Sequence, residues 1–156
     1  MNNTYLSFVV GDELFAVNVH KVLEVLQKQR ITIVPNTPDF VKGIINFRGE
    51  IVPVFETRTK FNLTERDALE SYVIMILELQ IGEASIRVGA VVDKVKNVIT
   101  IDDNDVKPVP PMSSKFNSDF IHGIAKENES FLLLLNVDKI FSDLEINELS
   151  ETVKAQ

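Results

Sequence analysis

The side chains of this chain that could do chemistry are few, and most of them fail a test of spacing. His20 and His122 lie far apart, without the i, i+4 spacing that lets one helix present two metal ligands. The acidic run Asp102-Asp103-Asn104-Asp105-Val106 begins like a calcium loop. Its sixth residue is Lys107 rather than Gly and its twelfth is Ser113 rather than Glu, so it reads as a solvated turn. Cysteine is absent, which removes thiol nucleophiles and thiolate ligands. No serine sits in a G-x-S-x-G elbow, and no glycine-rich phosphate cradle occurs. Carboxylates are plentiful, but none is placed on an apolar stretch as a tuned acid–base pair would be. The expectation is a binding protein with no catalytic residue, metal or cofactor.

Two polar residues are left for a binding role. Arg48 lies in Asn46-Phe47-Arg48-Gly49, between two apolar runs, at the tip of an expected hairpin. No core needs an arginine there, and its planar fork suits a carboxylate or carbonyl partner. Gly49 supplies a positive φ at little cost. Alternation predicts that one of Ile45 and Phe47 faces inward. Glu24 stands among apolar residues in "KVLEVLQ", where a short helix is expected to turn it outward.

The elements that must hold these residues are mostly strands. "YLSFVV", Gly11-Asp12 and "ELFAVNV" predict a hairpin. "HKVLEVLQ" predicts one or two helical turns, and "ITIVP" a strand ended by Pro35. "FVKGIINF" and "EIVPVF" form a hairpin across Arg48-Gly49. After a polar linker at 62–71 come "YVIMILELQ" and "ASIRVGAVV", then "DKVKNVITI" and a Pro- and Ser-rich loop at 107–118. A last hairpin precedes a helix that Asn136 is placed to cap, with Val137, Ile140, Phe141 and Leu144 on one face.

The chain repeats itself. "DFVKGIINFRGEIVPVFETRTKF" (Asp39 to Phe61) is echoed by "DFIHGIAKENESFLLLLNVDKIF" (Asp119 to Phe141) at an offset of 119 − 39 = 80. "HKVLEV" matches "DKVKNV" at 93 − 20 = 73, and the Tyr5 strand matches the Tyr72 strand at 72 − 5 = 67. In the echo, Asn128 is expected to take over the positive φ. The reading is one domain over 1–156, with repeat halves at 5–61 and 72–141 and a helical C-terminus at 137–150. Its fold is mainly β, two similar barrels packed on a shared core, with a binding groove expected at their seam.

The chain has 156 residues, 45% hydrophobic and 25% charged, enough for a core without staples. Its net charge of −7 argues against nucleic acid and anionic lipid as partners. "MNNTYLSFVV" lacks a signal peptide's basic start, and no apolar run approaches a membrane span. A cytoplasmic protein is expected, with proteins or small molecules as its partners.

"PNTPDFVKGIINFRGEIVPVFETRTKF" (Pro35 to Phe61) resembles the signature of CheW-type chemotaxis coupling proteins. The segments "KVLEV", "VGAVVDKV" and "FIHGIAK…LLLLNVDKI" are similar to other blocks of that family, and the resemblance spans Tyr5 to Leu149. It implies two five-stranded SH3-like β-barrels and a non-catalytic adaptor. The partners implied are the cytoplasmic tips of methyl-accepting chemoreceptors and the regulatory domain of a CheA-type histidine kinase, with ring contacts between like barrels. It places Val22, Glu24, Asn46, Phe47, Arg48, Gly49, Val95 and Val98 at the receptor-facing region and Gly43 in a tight strand path. Kinase contacts fall on exposed barrel surfaces, with no residue assigned. Phe47 replaces the family's usual Leu, enlarging an apolar anchor, and Glu56-Thr57 its Asp-Leu, where Thr57 is expected to weaken an apolar contact. A coupler of pilus motility or another chemosensory pathway shares the implied fold, and a small ligand-binding barrel is the reading from another class.

Overall fold

A computed structural model describes residues 1–109 and 120–154. The strands are β1 (Asn2–Val10), β2 (Glu13–Asn18), β3 (Val22–Leu26), β4 (Val41–Phe47), β5 (Glu50–Glu56), β6 (Val73–Ile81), β7 (Ala84–Val92), β8 (Lys94–Asp102), β9 (Ile121–Glu127) and β10 (Ser130–Leu135). A single helical turn, α1 (Thr57–Lys60), follows β5, and α2 (Asp143–Lys154) is the last element. No helix among the described residues is long and apolar enough to cross a membrane.

The two five-stranded sheets do not follow the two halves of the chain. The first runs β8-β1-β2-β10-β9 and the second β3-β6-β7-β5-β4. The first hairpin of each half has crossed into the sheet of the other. The register makes the exchange symmetric: Phe8 pairs with Val95 as Leu77 pairs with Val22, giving offsets of 77 − 8 = 69 and 95 − 22 = 73. The first strands are therefore related by 69 rather than the 67 expected from their tyrosines.

Each sheet is closed by one isolated bridge. Thr32 and Ile44 exchange two backbone hydrogen bonds of 2.9 Å, and Lys107 and Ile124 exchange two of 2.8 Å. The residue before each closing isoleucine is glycine, for a steric reason. A Cβ on Gly43, whose φ is +152°, would overlap the Thr32 carbonyl, and one on Gly123 would meet the Lys107 carbonyl oxygen at 3.0 Å. The expected strand over "ITIVP" reduces to that one bridge at Thr32.

The apolar run of β6 follows from this packing. Ile74 and Ile76 face the interior of the second barrel with Ile45, Phe47, Val52, Val54 and Val91. Met75, Leu77 and Leu79 face the opposite way, into a shared core with Phe8, Val10, Phe15 and Val17 of the first sheet. A strand buried on both faces reads as a continuous hydrophobic run rather than an alternation. The first barrel's own interior is smaller, built on Tyr5, Ala16, Ala125, Leu132 and Leu134.

The helical turns expected over "HKVLEVLQ" are corrected, and with them the segment that matches it in the repeat. "HKVLEVLQ" forms one 3-10 turn at Val19–Lys21 and then strand β3, and "DKVKNVITI" is strand β8. Their apolar spacing fits a helix, but pairing with β6 and β1 supplies the backbone partners a short isolated helix could not. At the C-terminus, Asn136 opens only a 3-10 turn at Val137–Lys139 and makes no side-chain cap. The helix starts later. The Ser142 hydroxyl accepts from the Glu145 amide at 3.2 Å, and the Glu145 carboxylate accepts from the Ser142 amide at 2.8 Å. Val137, Ile140 and Phe141 are buried, whereas Leu144 is 69% exposed. Most of the expected Pro- and Ser-rich loop lies outside the described residues.

The linker at 62–71 is not a passive connection. Arg66, whose side chain is 5% exposed, pairs with Glu56 at 3.0 Å and with Asp93 at 2.8 Å. Arg58 of α1 pairs with Asp93 and Glu70, each at 2.7 Å. Asp93 lies between β7 of one sheet and β8 of the other, and also accepts the Gly11 amide at 3.0 Å. Burial pushes the Asp93 carboxyl up. The Arg58 hydrogen bonds and the Arg66 and Arg58 charges outweigh that and hold it below the usual aspartate range.

This geometry sets two expectations for stability. Gly43→Ala loses more than about 2 kcal/mol, because neither the φ nor the Thr32 carbonyl can accommodate a methyl group, whereas Gly49→Ala, with open space at its turn, loses about 1 kcal/mol. Urea denaturation of both variants checks the difference. A carboxylate with a depressed folded pKa stabilises above its unfolded value near 4, and that contribution fades as pH falls through the folded value. The wild-type midpoint therefore drops below about pH 4, while Asp93→Asn, which leaves two buried arginines short of a partner, loses about 3 kcal/mol at neutral pH and shows a flatter acid limb.

Candidate functional site

The hairpin β4–β5 ends in a two-residue turn. Arg48 has φ +53° and Gly49 φ +85°, the paired left-handed conformation that matches strand twist. Glycine adopts it freely, but arginine at positive φ costs about 1 kcal/mol. The turn is held by Asn46, whose Oδ1 accepts the Gly49 amide at 2.9 Å. In the echo turn only Asn128, at φ +54°, is left-handed, and at 128 − 80 = 48 it occupies the place of Arg48, not of Gly49.

Arg48 reaches across the closing side of the barrel. Its Nη2 donates to Glu24 Oε1 at 2.9 Å, with side chains 65% and 39% exposed. Glu24 belongs to β3 and Arg48 follows β4, and these strands are the two ends of the second sheet's order. The ion pair is thus a second clip over the seam already bridged by Thr32 and Ile44. A register shift between Val22 and Glu24 puts an extra residue into β3 here, and such bulges re-aim side chains. The equivalent positions on the other barrel hold Asn97 (24 + 73) and Asn128 (48 + 80), so no charge pair can form there. Leu23 and Val25, the neighbours of Glu24 along β3, are 36% and 37% exposed, and Val25 pairs with Met75 where Glu24 pairs with Ile76, so Val25 lies on the opposite face of the strand from Glu24.

The other expected site residues differ in burial and place. Ile45 and Phe47 are both buried, at 4% and 3%, with exposed Asn46 between them, which corrects the expectation that only one faces inward. Val22 and Val95 are half-buried and pack against the shared core from its two sheets. Val98 is 65% exposed and pairs with Leu6 on the first sheet. Gly43 stands at the closing bridge, on the strand that leads to Arg48.

The two family departures also have local roles. Glu56 is buried and engaged by Arg66. The Thr57 hydroxyl donates to the Val91 carbonyl at 2.6 Å inside the core, so this residue makes a buried hydrogen bond rather than a weakened apolar contact. Arg58, Arg66 and Asp93 escape sequence reasoning. Their only trace is charged residues beside apolar runs, which most surface charges share. His20 and His122 hold no position in these networks. Asp102 Oδ1 accepts the Asn104 amide at 2.8 Å, capping a 3-10 turn. Among the described residues no group of three or more His, Cys, Asp or Glu is arranged around a metal site.

Comparison with known proteins bears on the same chain. The family model described as the CheW-like domain matches residues 4–145. The chain is 30% identical over 151 residues to a chemotaxis protein CheW of Klebsiella aerogenes, covering 97% of this chain and 89% of that one. It is 31% identical over 138 residues to a chemotaxis protein CheW of Helicobacter pylori, covering 87% and 79%. The crystal structure of the scaffolding protein TtCheW from Thermoanaerobacter tengcongensis superposes with a TM-score of 0.80 at 32% identity, covering 93% of this chain and 96% of that one.

An exposed ion pair contributes little to stability. A double-mutant cycle of Glu24→Gln and Arg48→Asn by chemical denaturation is expected to give a coupling of about 0.5 kcal/mol, shrinking in high salt. Asparagine is the replacement of choice because Asn128 already occupies the equivalent left-handed position.

Proposed function

This chain belongs to the CheW-like domain family, and on that premise we propose that its Arg48 turn is the receptor-facing site of a chemotaxis coupling protein. The chain is a non-catalytic scaffold of chemotaxis signalling. Its partners in general terms are chemoreceptors and a CheA-type kinase. The finer reading assigns faces. Arg48, with Glu24 beside it and Phe47 beneath it, meets the cytoplasmic tip of the receptor. By the family resemblance Val22 and Val95, at the shared core, and Val98, on the other sheet, belong to the same receptor-facing region. A separate barrel surface meets the regulatory domain of the kinase, and like barrels meet in rings.

One observation carries this reading. The chain keeps an arginine in a left-handed turn that asparagine occupies in the other barrel, although arginine is strained there and its ion pair is exposed. Strain retained at a surface site without a return in stability points to binding. An arginine beside apolar residues suits an interface centre, where one side chain supplies both packing and a directed hydrogen bond. Coupling then requires that receptor state alter affinity or geometry at the kinase face, since a ligand shifts an equilibrium only through differential binding.

Calorimetric titration of the wild-type chain and of Arg48→Asn tests the assignment. The regulatory domain of the kinase is expected to bind both within twofold. A receptor cytoplasmic fragment is expected to bind the variant about tenfold more weakly, the scale of one interface anchor. Loss of kinase binding instead would mean the faces are exchanged. Unchanged binding to both partners would sink the site.

A further inference from the structure

The Arg48 guanidinium has a second neighbour besides Glu24. Its central carbon lies 4.8 Å from the centre of the Phe47 ring. That ring is 3% exposed, whereas the arginine side chain is 65% exposed. The cation lies as a lid on an aromatic ring of the barrel interior. Ile45, Val52, Val54, Ile74, Ile76 and Val91 form the cluster that holds the ring, so the seat is rigid.

Three further restraints converge on the same side chain. The backbone is left-handed at Arg48, Asn46 pins the turn through the Gly49 amide, and Glu24 takes one guanidinium nitrogen. Nε and Nη1 of Arg48 make no hydrogen bond among the described residues. A guanidinium carries five N–H donors, so several remain to offer. Leucine, usual at this position in the family pattern, could fill the interior but has no negative π-face for the cation.

We propose that Phe47 is the positioning residue of the Arg48 site. It seats the guanidinium against Glu24 so that the remaining donors are pre-oriented toward a carboxylate or carbonyl oxygen on the partner. This rests on the reading of the Arg48 turn as receptor-facing. Pre-orientation strengthens binding by removing the side-chain ordering that would otherwise accompany it. It also makes residue 47 a determinant of how firmly this chain holds its receptor.

The test combines Phe47→Leu with a series of fluorinated phenylalanines at position 47, which keep the ring's shape while draining charge from its face. The first readout is the Arg48 Nε–H proton resonance, which a ring beneath the guanidinium displaces from its free-arginine position. The second is affinity for the receptor cytoplasmic fragment. The resonance is expected to return toward the free-arginine position in Phe47→Leu, with affinity about threefold weaker, and affinity is expected to fall stepwise with fluorination at a constant unfolding midpoint. If Phe47→Leu fails to fold, the fluorinated series decides alone. An unmoved resonance, or an affinity flat across the series while Arg48→Asn still weakens binding, overturns the positioning role. If Arg48→Asn leaves receptor binding intact, the receptor-facing reading falls, and with it any role of Phe47 in that binding.

Discussion

Neither sheet can be completed until both halves of the chain are present. β1 and β2 lie between β8 and β10, and β6 and β7 lie between β3 and β5. Removing one half would leave each sheet without its central or its outer strands, with open backbone edges that water or another chain would have to satisfy. Asp93 sits where this exchange is most exposed to error, at the passage from β7 in one sheet to β8 in the other. It gathers Arg58, Arg66 and the Gly11 amide, so the crossover, the linker, the helical turn and the first hairpin meet at one carboxylate. The two barrels also share a core in which Phe8 and Phe15 of one meet Met75 and Leu77 of the other. The two barrels are thus joined through packed side chains of one common core.

The proposed binding site uses a different kind of interaction. The buried ions around Asp93 lock the fold, because an unpaired partner there would be left without water. The pair of Arg48 and Glu24 is exposed and adds little to stability. What it provides is geometry. The barrel needs Gly43 to let the chain close, and that closure brings β3 alongside β4 so that Glu24 and Arg48 can meet. The seat beneath the arginine is a ring packed into the barrel's interior cluster. Rigid interior, strained turn and exposed charge form one series, each step depending on the one before. The repeat has a two-residue turn in each copy, left-handed at both positions in one and only at Asn128 in the other, and only the first carries the arginine. The molecule is therefore asymmetric where a partner would read it, although its backbone is nearly repeated.

Much of this architecture is legible in the amino-acid sequence. The hairpins are readable because their turns are local: Gly11-Asp12 and Arg48-Gly49 sit between apolar runs, and two such runs joined by a two-residue turn with glycine at positive φ have few other options. The repeat is readable because identical spacing of Asp, Phe, Gly and Ile does not depend on the fold. Arg48 stands out because a turn tip has no core to justify it. The signature around it identifies the family. The two segments that suggest helices and form strands show the limit. "KVLEVL" carries apolar residues at spacings that suit a helix or a strand, and only the backbone of β6 beside it decides between them.

What the sequence determined by itself was what neighbouring residues decide: the hairpin turns, the repeated pattern, and an arginine held at a hairpin tip. What only the tertiary structure decided was which of those pieces share a sheet, that Glu24 rather than another carboxylate meets Arg48, that Arg66 leaves a polar linker for the interior, and that Phe47 lies under the cation. The reason is physical. Strand pairing is made by backbone groups that every residue carries alike, so it leaves no mark on side-chain type. An ion pair between positions 24 residues apart exists only because a closed barrel brings two end strands together.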